Sequence, residues 1–576
     1  MGITRDTPDT TLIVGTTAAD TIVGSDTKNH IDTFDGADTI TVGNGDDTIL
    51  AGEGANTITG LAGDKEITAG AGADTITFTS GSNTIEAGSG ANTITGTAGN
   101  NSIKAGDGAD TITLTEGHNL ILAGGGANTI TATIGDNAIM AGSGADTVTV
   151  TSGDNLICVE DGANTVTATS GNNTIFAGTG ADTITVTSGN NIIYAGDGAN
   201  TITATSGHNF IYVGNAADTI TATDGRNYIE AGNGANTITT GAGSDIIFTG
   251  VDTDTVATGA GDDSIHVIGG VDTVAGGADF DTLIVDYSAS TTAVISSALA
   301  GTFAAGFAGN ITGTGVGVVT FAGIEAFDIA TGSGDDLITT GGGDDIIDGG
   351  AGSDTIKAGA GSDRIYGGFG DLIDGGEGCD TLVLRGVVSD FKFKIDENGD
   401  GYVKSTGSED KILNFTSIED IAYESADSTK SGSEMEQMIS CDSFAFVFPT
   451  DQDIIGSDYD GDVPSQPWWG LGDTSSVDDE GGNDRGASAV VATTAAPIAE
   501  VQATQTRGSE RETTRTSGAE MEATHRMGYE MEATQARGSE REATQKSAVE
   551  METTLIGSVE MRNDEMSCTE DYVDAY

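Results

Sequence analysis

Ala105-Gly-Asp-Gly-Ala-Asp-Thr-Ile-Thr-Leu-Thr-Glu-Gly-His-Asn-Leu-Ile-Leu122 is one copy of an 18-residue unit that runs unbroken through thirteen copies, from Gly15 to Phe248. A period that short, free of insertions, predicts a solenoid. Each unit carries one narrow stripe of Ile or Val that it cannot bury alone, so every turn must stack on the next. The expected fold is all-β, a parallel β-solenoid with ~18 residues per turn. Any function then resides in the columns that repeated positions build along the axis.

Composition narrows the function classes. The chain has 576 residues, 88 Gly, 5 Pro and a formal charge of -67. A polyanion of that size repels nucleic acid and anionic lipid, and when compact it repels itself, so something cationic must offset the charge. No apolar run approaches the length of a membrane span, and no transmembrane segment is expected. Met1 to Asp20 lack both a basic start and an apolar core, so no ordinary secretory signal peptide is expected. Cys158, Cys379, Cys441 and Cys568 are scattered and form no metal-spacing pair, which leaves the redox compartment open.

Shifts in composition divide the chain. Residues 1–14 are a lead-in, and 15–287 form the long solenoid, looser after Phe248. Residues 288–330 are an apolar, Gly/Ala-rich interruption, 331–383 a second repeat block, and 384–425 a small β cap with alternation in Phe391-Lys-Phe-Lys-Ile395. Residues 426–576 lose the period and read as mostly disordered, with a decapeptide repeat from about Glu500.

The second block reads Gly349-Gly-Ala-Gly-Ser-Asp-Thr-Ile-Lys357, Ala358-Gly-Ala-Gly-Ser-Asp-Arg-Ile-Tyr366 and Gly375-Gly-Glu-Gly-Cys-Asp-Thr-Leu-Val383. Glycines permit a turn tight enough to aim backbone carbonyls inward, and the carboxylate adds the hard anionic oxygen that calcium prefers. The pattern Gly-Gly-x-Gly-x-Asp-x-apolar-x resembles the calcium-binding nonapeptide of the RTX, or hemolysin-type, repeat proteins. That resemblance implies a β-roll in which two nonapeptides make a turn and Ca2+ sits between the loops of adjacent turns. It implies Asp336, Asp345, Asp354, Asp363 and Asp380 as ligands. Asp371 follows a repeat one residue short of nine. Asp263 and Asp281 are candidates in the looser region.

The long solenoid departs from this pattern. On one edge the sixth position is Asp20, then alternates as Asp38, Asn56, Asp74, Asn92, Asp110, Asn128, Asp146, Asn164, Asp182, Asn200, Asp218 and Asn236, which makes the true unit 36 residues. An inward position alternates with it, large at Val42, Phe78, Leu114, Val150 and Val186 and small at Gly60, Gly96, Ala132, Ala168 and Ala204, with Ala222 and Thr240 outside the trend. An amide oxygen brings no charge, so weaker or partly filled calcium sites are expected here. On the other edge Asn83 through Asn227 are expected to stack as an amide ladder without calcium, while Asp47 and Asp245 keep the Gly-x-Gly-x-Asp form at its two ends.

Strand alternation turns three Thr columns outward, for example Thr111, Thr113 and Thr115, then Thr147, Thr149 and Thr151, then Thr183, Thr185 and Thr187. Such a lattice resembles the Thr-x-Thr faces of β-solenoid antifreeze proteins, and Thr is also simply a good exposed strand residue. The second strand should expose an apolar column: Leu120, Leu122, Met140, Leu156, Cys158, Phe176, Ile192, Tyr194, Phe210 and Tyr212. Its expected occupant is residues 288–330 of the same chain, or else a second copy or a surface partner.

No catalytic constellation emerges. From Gly15 to Phe248 the basic side chains are Lys28, Lys65, Lys104 and Arg226, with scattered His. There is neither a His-Glu-x-x-His nor a Gly-x-Ser-x-Gly motif. A polysaccharide-modifying enzyme is the third reading, after a calcium-stiffened structural, surface-layer or adhesin-like module and an ice-binding protein. The family resemblance implies an extracellular protein leaving a Gram-negative cell by type I secretion under a C-terminal signal, to which Glu570-Asp-Tyr-Val-Asp-Ala-Tyr576 bears a loose likeness.

Overall fold

The computed structural model describes residues 3–7, 10–396 and 398–424. The tail from 426, with its decapeptides, Cys441, Cys568 and the expected C-terminal signal, lies outside them. The described chain is a parallel β-solenoid wound as two long sheets. One, the Thr sheet, is built from strands such as Thr75–Phe78, Thr93–Gly96 and Thr111–Glu116. The opposite sheet is built from strands such as Thr84–Glu86, Ser102–Lys104 and Leu120–Leu122. Pairing is in register at 18 residues, Ile94 on Ile112 in the Thr sheet and Ile103 on Ile121 in the opposite one. Among the described residues no helix is long and apolar enough to cross a membrane.

The period dictates the core. Ile76, Ile94 and Ile112 of the Thr sheet face Ile85, Ile103 and Ile121 of the opposite sheet, and all are 1% exposed or less. Burying one such side chain contributes about 1.5–3 kcal/mol, so the stack repeats that gain at every turn. The large and small residues of the 36-residue unit share space between turns: a Cβ built on Gly96 would lie 2.1 Å from the Phe78 ring and 2.9 Å from Leu114 Cδ2. In the loops, Gly108 has φ +147°, and a Cβ there would fall 2.0 Å from the Gly90 carbonyl oxygen. Turns can approach to β-sheet spacing at that corner only without a side chain.

Both ends of the rod are covered, which blunts exposed sheet edges. Ile3–Thr7 folds antiparallel onto Thr10–Val14, which itself pairs with Asn29–Asp32. At the other end Phe391–Ile395, Gly401–Ser405 and Ser408–Thr416 form an antiparallel layer joined to Leu372–Gly378, and Asp420–Glu424 adds the last rung of the opposite sheet.

Residues 288–330 do not lie over the apolar column. Gly317–Ile324 pairs with Gly270–Ala278 in the Thr sheet, and Gly306–Gly313 and Val294–Ser296 follow as antiparallel strands of the same sheet. Ala326–Ala330 continues the opposite sheet from Thr282–Asp286. The apolar residues of this segment are spent on rungs of the solenoid, so it is no cover for another face.

Candidate metal centre

Every sequence-predicted Asp falls at a loop corner, on one of two edges. Asp38, Asp74, Asp110, Asp146, Asp182, Asp218, Asp336, Asp354 and Asp371 precede strands of the Thr sheet. Asp245, Asp263, Asp281, Asp345, Asp363 and Asp380 precede strands of the opposite sheet, and Asp47 opens one. All are at most 3% exposed. Loop glycines turn the chain so sharply that the corner side chain folds back beneath its own loop.

One carboxylate oxygen is structural. Asp74 Oδ1 accepts the backbone N–H of Asn56 at 2.7 Å, and Asn92 Oδ1 accepts that of Asp74 at 3.0 Å. In the second block Asp363 Oδ1 accepts from Asp345 and Asp380 Oδ1 from Asp363, both at 2.9 Å. Each corner residue thus ties its turn to the one before it.

The other oxygen has no donor. Oδ2 of Asp38, Asp74, Asp110, Asp146, Asp182, Asp218, Asp336, Asp354, Asp363 and Asp380 is buried without a hydrogen bond. The same holds at Asp245, Asp263 and Asp345. The neighbouring hydroxyls of Thr240, Thr258 and Thr340 give their protons to the carbonyls of Thr258, Gly276 and Ala358. An unpaired buried carboxylate oxygen is costly, and burial disfavours its charged form. Burial pushes Asp74, Asp146, Asp182 and Asp218 up to about 6, Asp354 and Asp363 to about 7, and Asp345 to about 8. Asp371 differs, because its Oδ2 accepts the Gly368 N–H at 2.6 Å. The shortened repeat brings that amide within reach.

At one gap between turns the chain supplies its own cation. Lys65 occupies a corner of the opposite edge, its stem passing over Gly60. Its Nζ donates to the carbonyls of Gly45 and Ala62 at 2.5 Å and of Gly63 at 3.0 Å, and lies 3.4 Å from Asp47 Oδ2, both side chains fully buried. Backbone carbonyls of two successive loops and one Asp oxygen therefore enclose a cation here. A hard divalent ion wants that donor set, all oxygen and partly anionic. Where the corner is Asp and no lysine intervenes, the residues fit calcium. Among the described residues no three His, Cys, Asp or Glu side chains converge, so backbone carbonyls would have to supply most of the ligands at each candidate position.

Corners that are Asn behave differently. Asn83 Nδ2 donates to Gly81 O at 2.9 Å and to Asn101 Oδ1 at 2.8 Å, and the pattern repeats through Asn227, which donates to Asp245 Oδ1. The expected amide ladder is therefore continuous along that edge.

Four further acidic corners carry no clear motif. Asp254 and Asp272 continue the first edge, Asp254 Oδ1 accepting from Asn236 and Asp272 Oδ1 from Asp254. Their sole sequence signal is Asp-Thr-Val at the 18-residue interval. Glu325 and Glu419 take the corner role where the chain detours, their Oε2 atoms accepting the N–H of Asp281 and Asp380 at 2.9 Å.

The two broad faces are also defined. Thr111, Thr147 and Thr183 are in register and exposed, Thr115, Thr151 and Thr187 are exposed, and Thr149 and Thr185 are half-buried while Thr113 is exposed. On the opposite sheet Phe210 is 44% exposed, but Cys158 is 3% exposed and so is no part of the outward column. The apolar run of Leu122, Met140 and Phe176 continues as stacked rings, Phe176 on Tyr194 at 5.0 Å and Tyr194 on Tyr212 at 4.9 Å, then as tilted contacts of Tyr212 with Tyr228 and of Tyr228 with Phe248, which stacks on His266.

A family model described as the RTX calcium-binding nonapeptide repeat matches residues 14–49, 50–85, 86–121, 122–157, 160–193, 185–220, 212–247, 221–256, 248–283, 328–356, 340–371 and 349–382. These matches cover more than half of the chain. No curated protein matches it.

Proposed function

The chain belongs to the RTX calcium-binding repeat family, and from that premise we propose that it is a secreted structural protein whose folding calcium drives. The observation that carries this reading is the row of buried Oδ2 atoms without donors. A fold that closes on unpaired carboxylates lacks a component, and the ion that completes it joins both partners of each gap. The sites do not exist in the open chain, so the metal's binding free energy becomes folding free energy. With a net charge of -67 the metal-free chain resists compaction, which suits export in an unfolded state through a type I channel and folding outside, where calcium is abundant. The role proposed is that of a stiff surface-layer, matrix or adhesin-like spacer rather than a catalyst, with the aromatic run from Phe176 to Tyr212 as a contact for a second copy or a surface partner. Small-angle scattering of the full chain tests the first step. The radius of gyration should be much larger in chelator than in millimolar calcium, and an equally small value in both would overturn the proposal.

The in-register Thr columns support a second reading, an ice-binding face. Their rows sit ~4.8 Å apart along the axis and alternate residues ~6.8 Å apart along a strand. Thermal hysteresis in the calcium-loaded protein, abolished by Thr149→Tyr and Thr185→Tyr, would establish it, and its absence would end it.

A further inference from the structure

We propose that between Asp38 and Asn236 calcium enters only alternate gaps of the first edge, one ion per 36 residues, because the chain's own nitrogen donors fill the remainder. The inference rests on calcium binding as read above and concerns where the ions go.

The corner residues of this edge share one arrangement. Oδ1 accepts the N–H one turn earlier whether the residue is Asp or Asn. The second arm then enters the gap toward the next turn. In Asn turns it ends in Nδ2, which donates to three carbonyls at Asn56, Asn92, Asn128 and Asn164, and to one at Asn200 and at Asn236, where the acceptor is Ala231 O at 3.1 Å. Asn56 Nδ2 donates to Gly52 O at 3.2 Å, Gly54 O at 3.0 Å and Ala69 O at 3.2 Å. Asn92, Asn128 and Asn164 repeat the same three contacts in their own gaps. Asn200 keeps the first of them, to Gly196 O at 3.0 Å. Two of these carbonyls belong to the Asn loop and the third to the loop above it, so the amide bridges the gap as an ion would.

In Asp turns the same arm ends in Oδ2, and six of these oxygens, at Asp38, Asp74, Asp110, Asp146, Asp182 and Asp218, have no donor. The loop carbonyls that an Asn amide would satisfy therefore have no side-chain nitrogen from the corner residue, although at Asp38 one of them, Ala51 O, accepts the Thr33 hydroxyl at 2.9 Å. A proton on Oδ2 or a cation can join that oxygen to the carbonyls, the cation being favoured once pH rises above the carboxyl's range, and the Lys65 ammonium against Asp47 Oδ2 shows such a gap closed by a cation from within the chain. Asp47's gap therefore takes no calcium.

Electrostatics favours the alternation. One carboxylate per divalent ion leaves one positive charge at each filled gap. Ions in successive gaps would stand about one strand spacing apart, ~4.8 Å. Skipping a gap doubles that separation and halves the repulsion at a given dielectric. The Asp/Asn alternation thus spaces the ions as well as placing them.

The test counts calcium bound per full-length chain, by native mass spectrometry after equilibration with calcium chloride, with circular dichroism confirming that each variant folds. Asn128→Asp should add one ion, since its gap loses the amide and gains a carboxylate oxygen. Asp110→Asn should remove one. Lys65→Met should add one at Asp47. An unchanged count in Asp110→Asn, or in both Asn128→Asp and Lys65→Met, would overturn the alternation. A wild-type chain that binds no calcium at all would instead overturn the functional reading on which it rests.

Discussion

The 36-residue unit predicts a specific coupling between Phe78 and Gly96. Phe78 is fully buried, and its Cε2 and Cζ would stand 2.1 and 2.3 Å from a Cβ on Gly96. The ring therefore occupies volume that belongs to the next turn. Phe78→Ala removes it and leaves a cavity, at about 3–5 kcal/mol. Gly96→Ala drives a methyl into the ring, at about 1–3 kcal/mol. Gly96 is not among the positive-φ glycines, so this loss is steric rather than conformational. In the double variant the new methyl enters the space the ring has vacated. The combined loss should fall short of the sum by about 1–2 kcal/mol, within the range seen for residues in contact. Stacked repeats open locally, so hydrogen exchange of the Thr75–Phe78 and Thr93–Gly96 amides in saturating calcium is the suitable assay. Losses that add to within about 0.5 kcal/mol would refute shared packing between turns.

Two further outcomes follow from the corners. In chelator, Asp74, Asp146, Asp182 and Asp218 at about 6 and Asp345 at about 8 hold protons more tightly when folded than the ordinary carboxylate near 3.9 does unfolded. Their contribution to the metal-free fold is full below about pH 4 and is lost as pH rises through 6 to 8, so β content without calcium should fall across that window. A flat or rising signal would contradict the burial of unpaired carboxylates. In the amide ladder, Asn155 Nδ2 donates to Gly153 O and Asn173 Oδ1, at 2.8 Å each. Asn155→Asp sets oxygen against both and should cost about 1–3 kcal/mol in thermal unfolding, whereas an unchanged melt would mean the ladder contributes nothing.

Much of this architecture could be read from the residues because a strict period leaves little freedom. Ile at every eighteenth position fixes the register, and register fixes which face each Thr and each Asp takes. The role of Lys65 is not legible in sequence, because a single lysine in an acidic repeat reads as a solvated charge, and only the fold shows its stem over Gly60 and its ammonium among carbonyls. Glu325 and Glu419 stand 44 and 39 residues from the corners they complete, so no period points to them. The strands of residues 288–330 were hidden for a related reason: antiparallel pairing inside the detour replaces the stacking that repetition would have revealed. The alternation of Asp and Asn was visible, but its meaning depended on where the second arm of each side chain points.

Calcium-coupled folding is the claim on which the rest depends. Its most direct measurement is far-ultraviolet circular dichroism of the full chain at pH 7.5, titrated from chelator into millimolar calcium. The account predicts a disordered spectrum that converts to a β spectrum as calcium is added and reverts when chelator returns. The same β spectrum throughout would contradict it.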